Sequence, residues 1–168
     1  MTNNSAWIES GGGPLVLVAV SDVQSWMGTD PAGSDTESDY DRACAVMESI
    51  APVVVRGMPV VVMGDEPDRT AVHIFGSLMH WVRWRAAPNE QALWDALNSA
   101  HLPGLDWNTS GEFDARRGGY RLFDAAFAGA EVEDSLSIAM QSGSYVIETS
   151  PFKPSRDIEA LLHRFRKL

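Results

Sequence analysis

A chain of 168 residues with 45% apolar and 21% charged residues can bury a core of its own and has the composition of an ordinary globular domain. Its net charge of −10 argues against direct nucleic-acid binding, which needs a basic surface. The lone cysteine, Cys44, excludes an internal disulfide, and no apolar run approaches the length of a membrane-spanning helix.

The charge is unevenly placed. Up to Thr70 there are eleven acids against three bases, and after it twelve against ten. An acidic half permits a basic partner, drawn in by the complementary field; the plainer reading is solubility. The opening MTNNSAWIES lacks the basic and apolar regions of a secretory leader, so the expected compartment is the cytoplasm.

Trp7–Ser10 reads as a short strand. Gly11–Gly13 resembles a phosphate loop only superficially: no GxxxxGK[ST] pattern follows, and the glycines precede a strand, not a helix. Leu15–Val20 is continuously apolar, as a strand buried on both faces would be, and Ser21 caps a helical turn through Trp26. Gly28–Thr36 is loop by its Gly, Pro, Ser and Asp content. Ser38–Glu48 reads as a helix capped by Ser38, with Asp39 and Asp41 at the positive end of its dipole. Tyr40, Ala43, Cys44 and Met47 form its apolar face, which makes Cys44 a buried hydrophobe.

Pro52–Val55 and Pro59–Met63 form a hairpin around Arg56-Gly57-Met58. Gly64–Asp68 is a turn carrying Asp65, Glu66 and Asp68. Ile74–Ala87 reads as the longest strand, with a break at Gly76-Ser77. Leu78, His80, Val82 and Trp84 lie on one face; Met79, Trp81, Arg83 and Arg85 lie on the other. Bulky residues on both faces suggest an interior strand. The plainer reading is core, while Trp81 and Arg83 are also the residue types favoured at binding surfaces. Pro88–Ser99 is a helix capped by Asn89. Leu136–Met140 and Tyr145–Glu148 alternate about Gln141-Ser142-Gly143 as an antiparallel hairpin. Ser155–Lys167 reads as a last helix, with Ile158, Leu161, Leu162 and Phe165 on one face and its charges ordered as the dipole prefers. The expected fold is therefore a single α+β domain over 1–168, a largely antiparallel or mixed sheet with about three packed helices.

The search for chemistry is negative. His73, His80, His101 and His163 show no metal-ligand spacing, and there is no G-x-S-x-G elbow. Asp65, Glu66 and Asp68 do not match a calcium loop. No catalytic residue, metal or cofactor is assigned. A small enzyme built on Asp65, Glu66 and Asp124 remains an alternative, as does a generic regulatory binding module.

Five stretches occur in order: WIESGGGPLVLV (7–18), SDYDRACAV (38–46), VMGDEP (62–67), WVRWRA (81–86) and GYRLFDAAFAG (119–129). Together they resemble the immunity protein 21 family of bacterial polymorphic-toxin systems. The resemblance implies a cytoplasmic protein that binds and neutralises a cognate toxin domain, and it agrees with the negative search that this is not an enzyme; charge and the lack of a long apolar run point away from nucleic acid and membrane as partners. It carries over no site residues. The acidic excess suits a basic, nuclease-type toxin. From the residues themselves, the candidate toxin-facing set is Asp30, Asp35, Glu37, Asp39, Asp41, Asp65, Glu66, Asp68, Trp81 and Arg83. The core of that set is an acidic loop running into a helix start.

Overall fold

A computed structural model describes residues 6–33, 36–64 and 68–168. Of the expected site residues, Asp35, Asp65 and Glu66 lie outside the described residues. The rest form two antiparallel sheets packed face to face. In chain order the strands are β1 (Trp7–Ile8), β2 (Leu15–Ala19), β3 (Ala51–Val55), β4 (Met58–Met63), β5 (Thr70–Phe75), β6 (Leu78–Ala86), β7 (Asn108–Ala115), β8 (Tyr120–Asp124), β9 (Leu136–Ile138), β10 (Gly143–Phe152) and β11 (Glu159–Lys167). The helices are α1 (Asp39–Cys44) and α2 (Glu90–Ser99). One sheet runs β1-β5-β6-β11-β10-β7 and the other β3-β4-β2-β8-β9.

The core has three layers of contact. Between the sheets, Trp81, Phe113, Ile147 and Phe165 meet Leu15, Leu17, Val61 and Leu122. The outer face of the six-stranded sheet packs Ala71, Val82, Ala160 and Leu162 under Leu93, Trp94 and Leu97 of α2. The outer face of the five-stranded sheet packs Val16, Val18, Val60 and Val62 against Trp26, Ala43 and Ala125. β2 reads as an unbroken apolar run because both of its faces are covered.

This corrects the expected α+β fold with about three helices. The protein is mostly β, with two sheets where one was expected and two α-helices among the described residues. The largest single error is Ser155–Lys167, which is strand β11, seated between β6 and β10. Its apolar residues do fall at helical spacing. However, an interior strand is buried on both faces, and a short apolar run carries no decisive period. The charge order that suited a helix dipole has another cause: Arg164 lies directly across from Glu148 on β10, and its Nε donates to Glu148 Oε2 at 2.8 Å.

The expected Leu136–Met140/Tyr145–Glu148 hairpin is also corrected. β9 pairs with β8 in one sheet, and β10 pairs with β7 and β11 in the other, so the Gln141 turn crosses between sheets. The expected Ile74–Ala87 strand covers the end of β5, a turn at Gly76-Ser77 and all of β6; β6 is interior, as expected, but β10 is longer. α1 stops at Cys44, which leaves Cys44 exposed and Met47 83% exposed, so neither joins its apolar face. The β3–β4 hairpin, the Asn89 cap of α2 and the Ser38 cap of α1 form as the sequence predicts. In that hairpin both turn residues, Arg56 (φ 47°) and Gly57 (φ 79°), take the left-handed conformation that a two-residue turn between twisted strands requires.

Candidate functional site: an acidic face beside Phe127

Asp124 ends β8 and is buried. Its Oδ2 accepts from Gly11 N–H at 2.7 Å, and its Oδ1 accepts from Ala126 N–H at 2.9 Å. One carboxylate thus ties the glycine connection after β1 to the turn after β8. This is a structural use of both oxygens.

Beyond Asp124 the chain runs out as a loop on which Phe127 is 56% exposed. A groove of about 690 Å³ opens here, lined by Glu9, Asp124, Phe127, Glu131, Glu133 and Asp134, with Val132 and Gly11 completing it. Five carboxylates share this wall with two apolar side chains, and no Lys, Arg or His is among its lining residues. Such a concave, single-sign surface focuses its field outward and favours a cationic visitor. Among the described residues, no group of three or more His, Cys, Asp or Glu is arranged to hold a metal ion.

The loop carrying Asp30 abuts this groove. Trp26 Nε1 donates to Ala125 O at 3.0 Å, Thr29 N to Ala126 O at 3.1 Å, and Gly129 N to Trp26 O at 2.8 Å. Gly28 sits at the crossing with φ 60°, and a Cβ there would lie 2.4 Å from Ala126 O; only glycine allows the two segments to approach so closely. Asp30 follows directly and is exposed.

The remaining expected site residues divide. Glu37 is exposed, its carboxylate 3.8 Å from Arg42 Nε. Asp41 is exposed but forms a capping box: its carboxylate accepts from Ser38 N–H and Oγ–H, and those two bonds hold its pKa below the usual carboxylate value. Asp39 is fully buried and bonded to Arg56. Asp68 is half-buried against Arg85 Nε at 2.7 Å. Trp81 and Arg83 are buried between the sheets, at 0% and 1% exposure. Arg83 reaches from β6 to Ser49 O at 2.6 Å and Gly64 O at 2.9 Å, so it fastens the six-stranded sheet to the loops of the other. These two side chains contribute to the core, not to the surface.

Sequence reasoning missed Glu9, Glu131, Glu133 and Asp134. A signal for the last three was present: from Leu122 to Phe152 the chain contains no Lys, Arg or His.

A family model described as Immunity protein 21 matches residues 6–157. No curated protein matches the chain, and no solved structure does.

Proposed function

The chain belongs to the immunity protein 21 family, and on that premise we propose that it binds a cognate toxin domain made in the same cell and covers the toxin's working surface. The cytoplasm, where such a toxin would do harm, is the proposed place of action. The observation that supports this reading best is the acidic face: Glu9, Glu131, Glu133 and Asp134 around an exposed Phe127, with Asp30 on the adjoining loop. A toxin that handles nucleic acid carries a basic groove, and this face offers the opposite charge with an aromatic anchor in its midst. Carboxylates at the rim would speed encounter, and Phe127 would supply desolvated contact. The test is co-expression with the toxin domain encoded by the neighbouring gene. Survival of the host and co-purification of the two chains is the expected result; death of the host with soluble, folded protein present would overturn the proposal.

A further inference from the structure

On the far side of the six-stranded sheet, away from the acidic face, a cleft of about 440 Å³ opens between the β5–β6 hairpin and the end of α2. Its walls are apolar: Phe75 and Leu78 from the hairpin, Leu97 from α2 and Leu102 from the turn that follows. Three polar side chains line it: His80 and Arg164, which are directly opposed on β6 and β11, and Asn98 of α2, which is exposed.

Arg164 is already engaged. Its Nε bonds Glu148 at 2.8 Å, and its guanidinium stacks 4.1 Å from the centre of the Trp107 ring. Trp107 is fixed in turn by its Nε1–H to Leu102 O at 2.9 Å. His80 is different. It is 3% exposed, and its Nδ1 lies 3.0 Å from Leu78 O. A carbonyl can only accept, so Nδ1 carries the proton and Nε2 presents a lone pair. Nε2 makes no hydrogen bond among the described residues and is not one of their fully enclosed, unbonded polar atoms, and His80 lines the cleft. Burial, with Arg164 and His73 nearby, holds the imidazole below its usual pKa against the pull of the Leu78 bond, which keeps that lone pair available at neutral pH. Phe75 and Trp107 hold the ring in place, with centroids 5.4 and 5.7 Å away.

We propose that this cleft is a binding site for a small aromatic molecule bearing one N–H or O–H donor, its ring against Phe75, Leu97 and Leu102 and its donor on His80 Nε2. The volume is within the range of small-ligand sites, and a mainly apolar pocket with a few placed polar groups is their usual chemistry. A buried acceptor left unmatched rejects ligands that lack the donor. The proposal does not depend on toxin binding.

Indole and N-methylindole, which share a shape and differ in the single N–H, are the probes. In nitrogen-15 spectra of the whole protein, titration with indole should shift His80 Nε2 together with the amides of Phe75, Leu97 and Leu102. N-methylindole should bind about fivefold more weakly and leave Nε2 unmoved. In His80→Phe the two probes should bind alike. Should that variant not fold, the comparison on the unaltered protein decides alone. Equal affinity of the two probes, shifts confined to other residues, or no shift up to the solubility of indole would each overturn the proposal.

Discussion

The Asp39 carboxylate, fully buried at the start of α1, is held by Arg56 Nε at 2.7 Å and Nη2 at 2.6 Å. Met27 N–H adds a third bond at 2.8 Å. Arg56 is the one described non-glycine residue with positive φ, a conformation costly for a long side chain. The ion pair offsets that cost and locks the β3–β4 turn to α1. Asp39→Ala leaves a guanidinium without its counter-charge and should cost about 3 kcal/mol. Asp39→Ala with Arg56→Ala should cost less than the two single changes added, by about 1 kcal/mol or more. Urea unfolding of the four proteins measures this; strict additivity would refute the coupling. Burial pushes the Asp39 pKa up, but the Arg56 and Met27 bonds outweigh it and hold it below the usual value. Its stabilisation is therefore complete above the unfolded pKa near 3.9 and lost as pH falls through the lower folded value.

A second pH effect belongs to His163. It is fully buried on β11, with Nδ1 2.8 Å from Thr149 Oγ1. Burial, with Arg83 and Arg85 nearby, holds its pKa well below 6.5. Below pH 6.5 the unfolded chain takes up a proton that the folded one refuses, so stability falls with pH. The slope from this one group approaches about 1.4 kcal/mol per pH unit. Unfolding midpoints at pH 7.5, 6.5, 5.5 and 4.5 should show that slope reduced in His163→Gln relative to the unaltered protein. It should not vanish, because burial also lowers His73 and His80. Parallel curves would exclude His163 as the cause.

Strand β11 begins just past residue 157, where the family match ends, yet it fills the middle of the six-stranded sheet. Ending the chain at Asp157 would leave β6 and β10 each without a partner along one edge and strip Leu162 and Phe165 from the core. The expected product has no cooperative unfolding transition. A milder change, Leu162→Ala at a fully buried position, should cost about 3 kcal/mol. A truncated chain that melts cooperatively as a monomer would contradict the role of β11.

These elements also show what the sequence could disclose. Local signals with a specific mechanism were legible: the Ser38 cap, the Asn89 cap, the Arg56-Gly57 turn and the two-sided apolar run of β2. What failed was any inference that depended on non-local pairing. The run Ala160-Leu161-Leu162-His163 fits either a helix stripe or a strand covered on both faces, and only the slot between β6 and β10 decides. Likewise, the alternation on both sides of Gln141 specifies two strands but not that they enter different sheets. At the candidate site the acidity was visible, but not its division. Asp39 is spent inside and Asp41 in a cap, while Glu131, Glu133 and Asp134 went unnoticed because Arg and Lys residues elsewhere in the same half balanced their charge.

The acidic face yields the last prediction. Glu131, Glu133 and Asp134 are exposed and line one groove; Asp30 and Glu37 are exposed on the adjoining loop and helix entry. If this face meets a basic toxin, its charge acts mainly before contact, by raising the encounter rate, and salt screens it over about 8 Å at physiological strength. Replacing Glu131, Glu133 and Asp134 with Gln, Gln and Asn should lower the association rate about tenfold at low salt and flatten its salt dependence. Asp30→Asn with Glu37→Gln should do the same to a smaller degree, since Glu37 is partly offset by Arg42. Phe127→Ala should leave the association rate nearly unchanged and speed dissociation, as loss of a desolvated anchor does. Stopped-flow mixing with the cognate toxin at two salt concentrations separates the three. None of these side chains is in the core, so each variant should keep the stability of the unaltered protein to within about 0.5 kcal/mol. An association rate and salt slope untouched by the groove triple, in a protein that still neutralises its toxin, would move the interface off this face altogether.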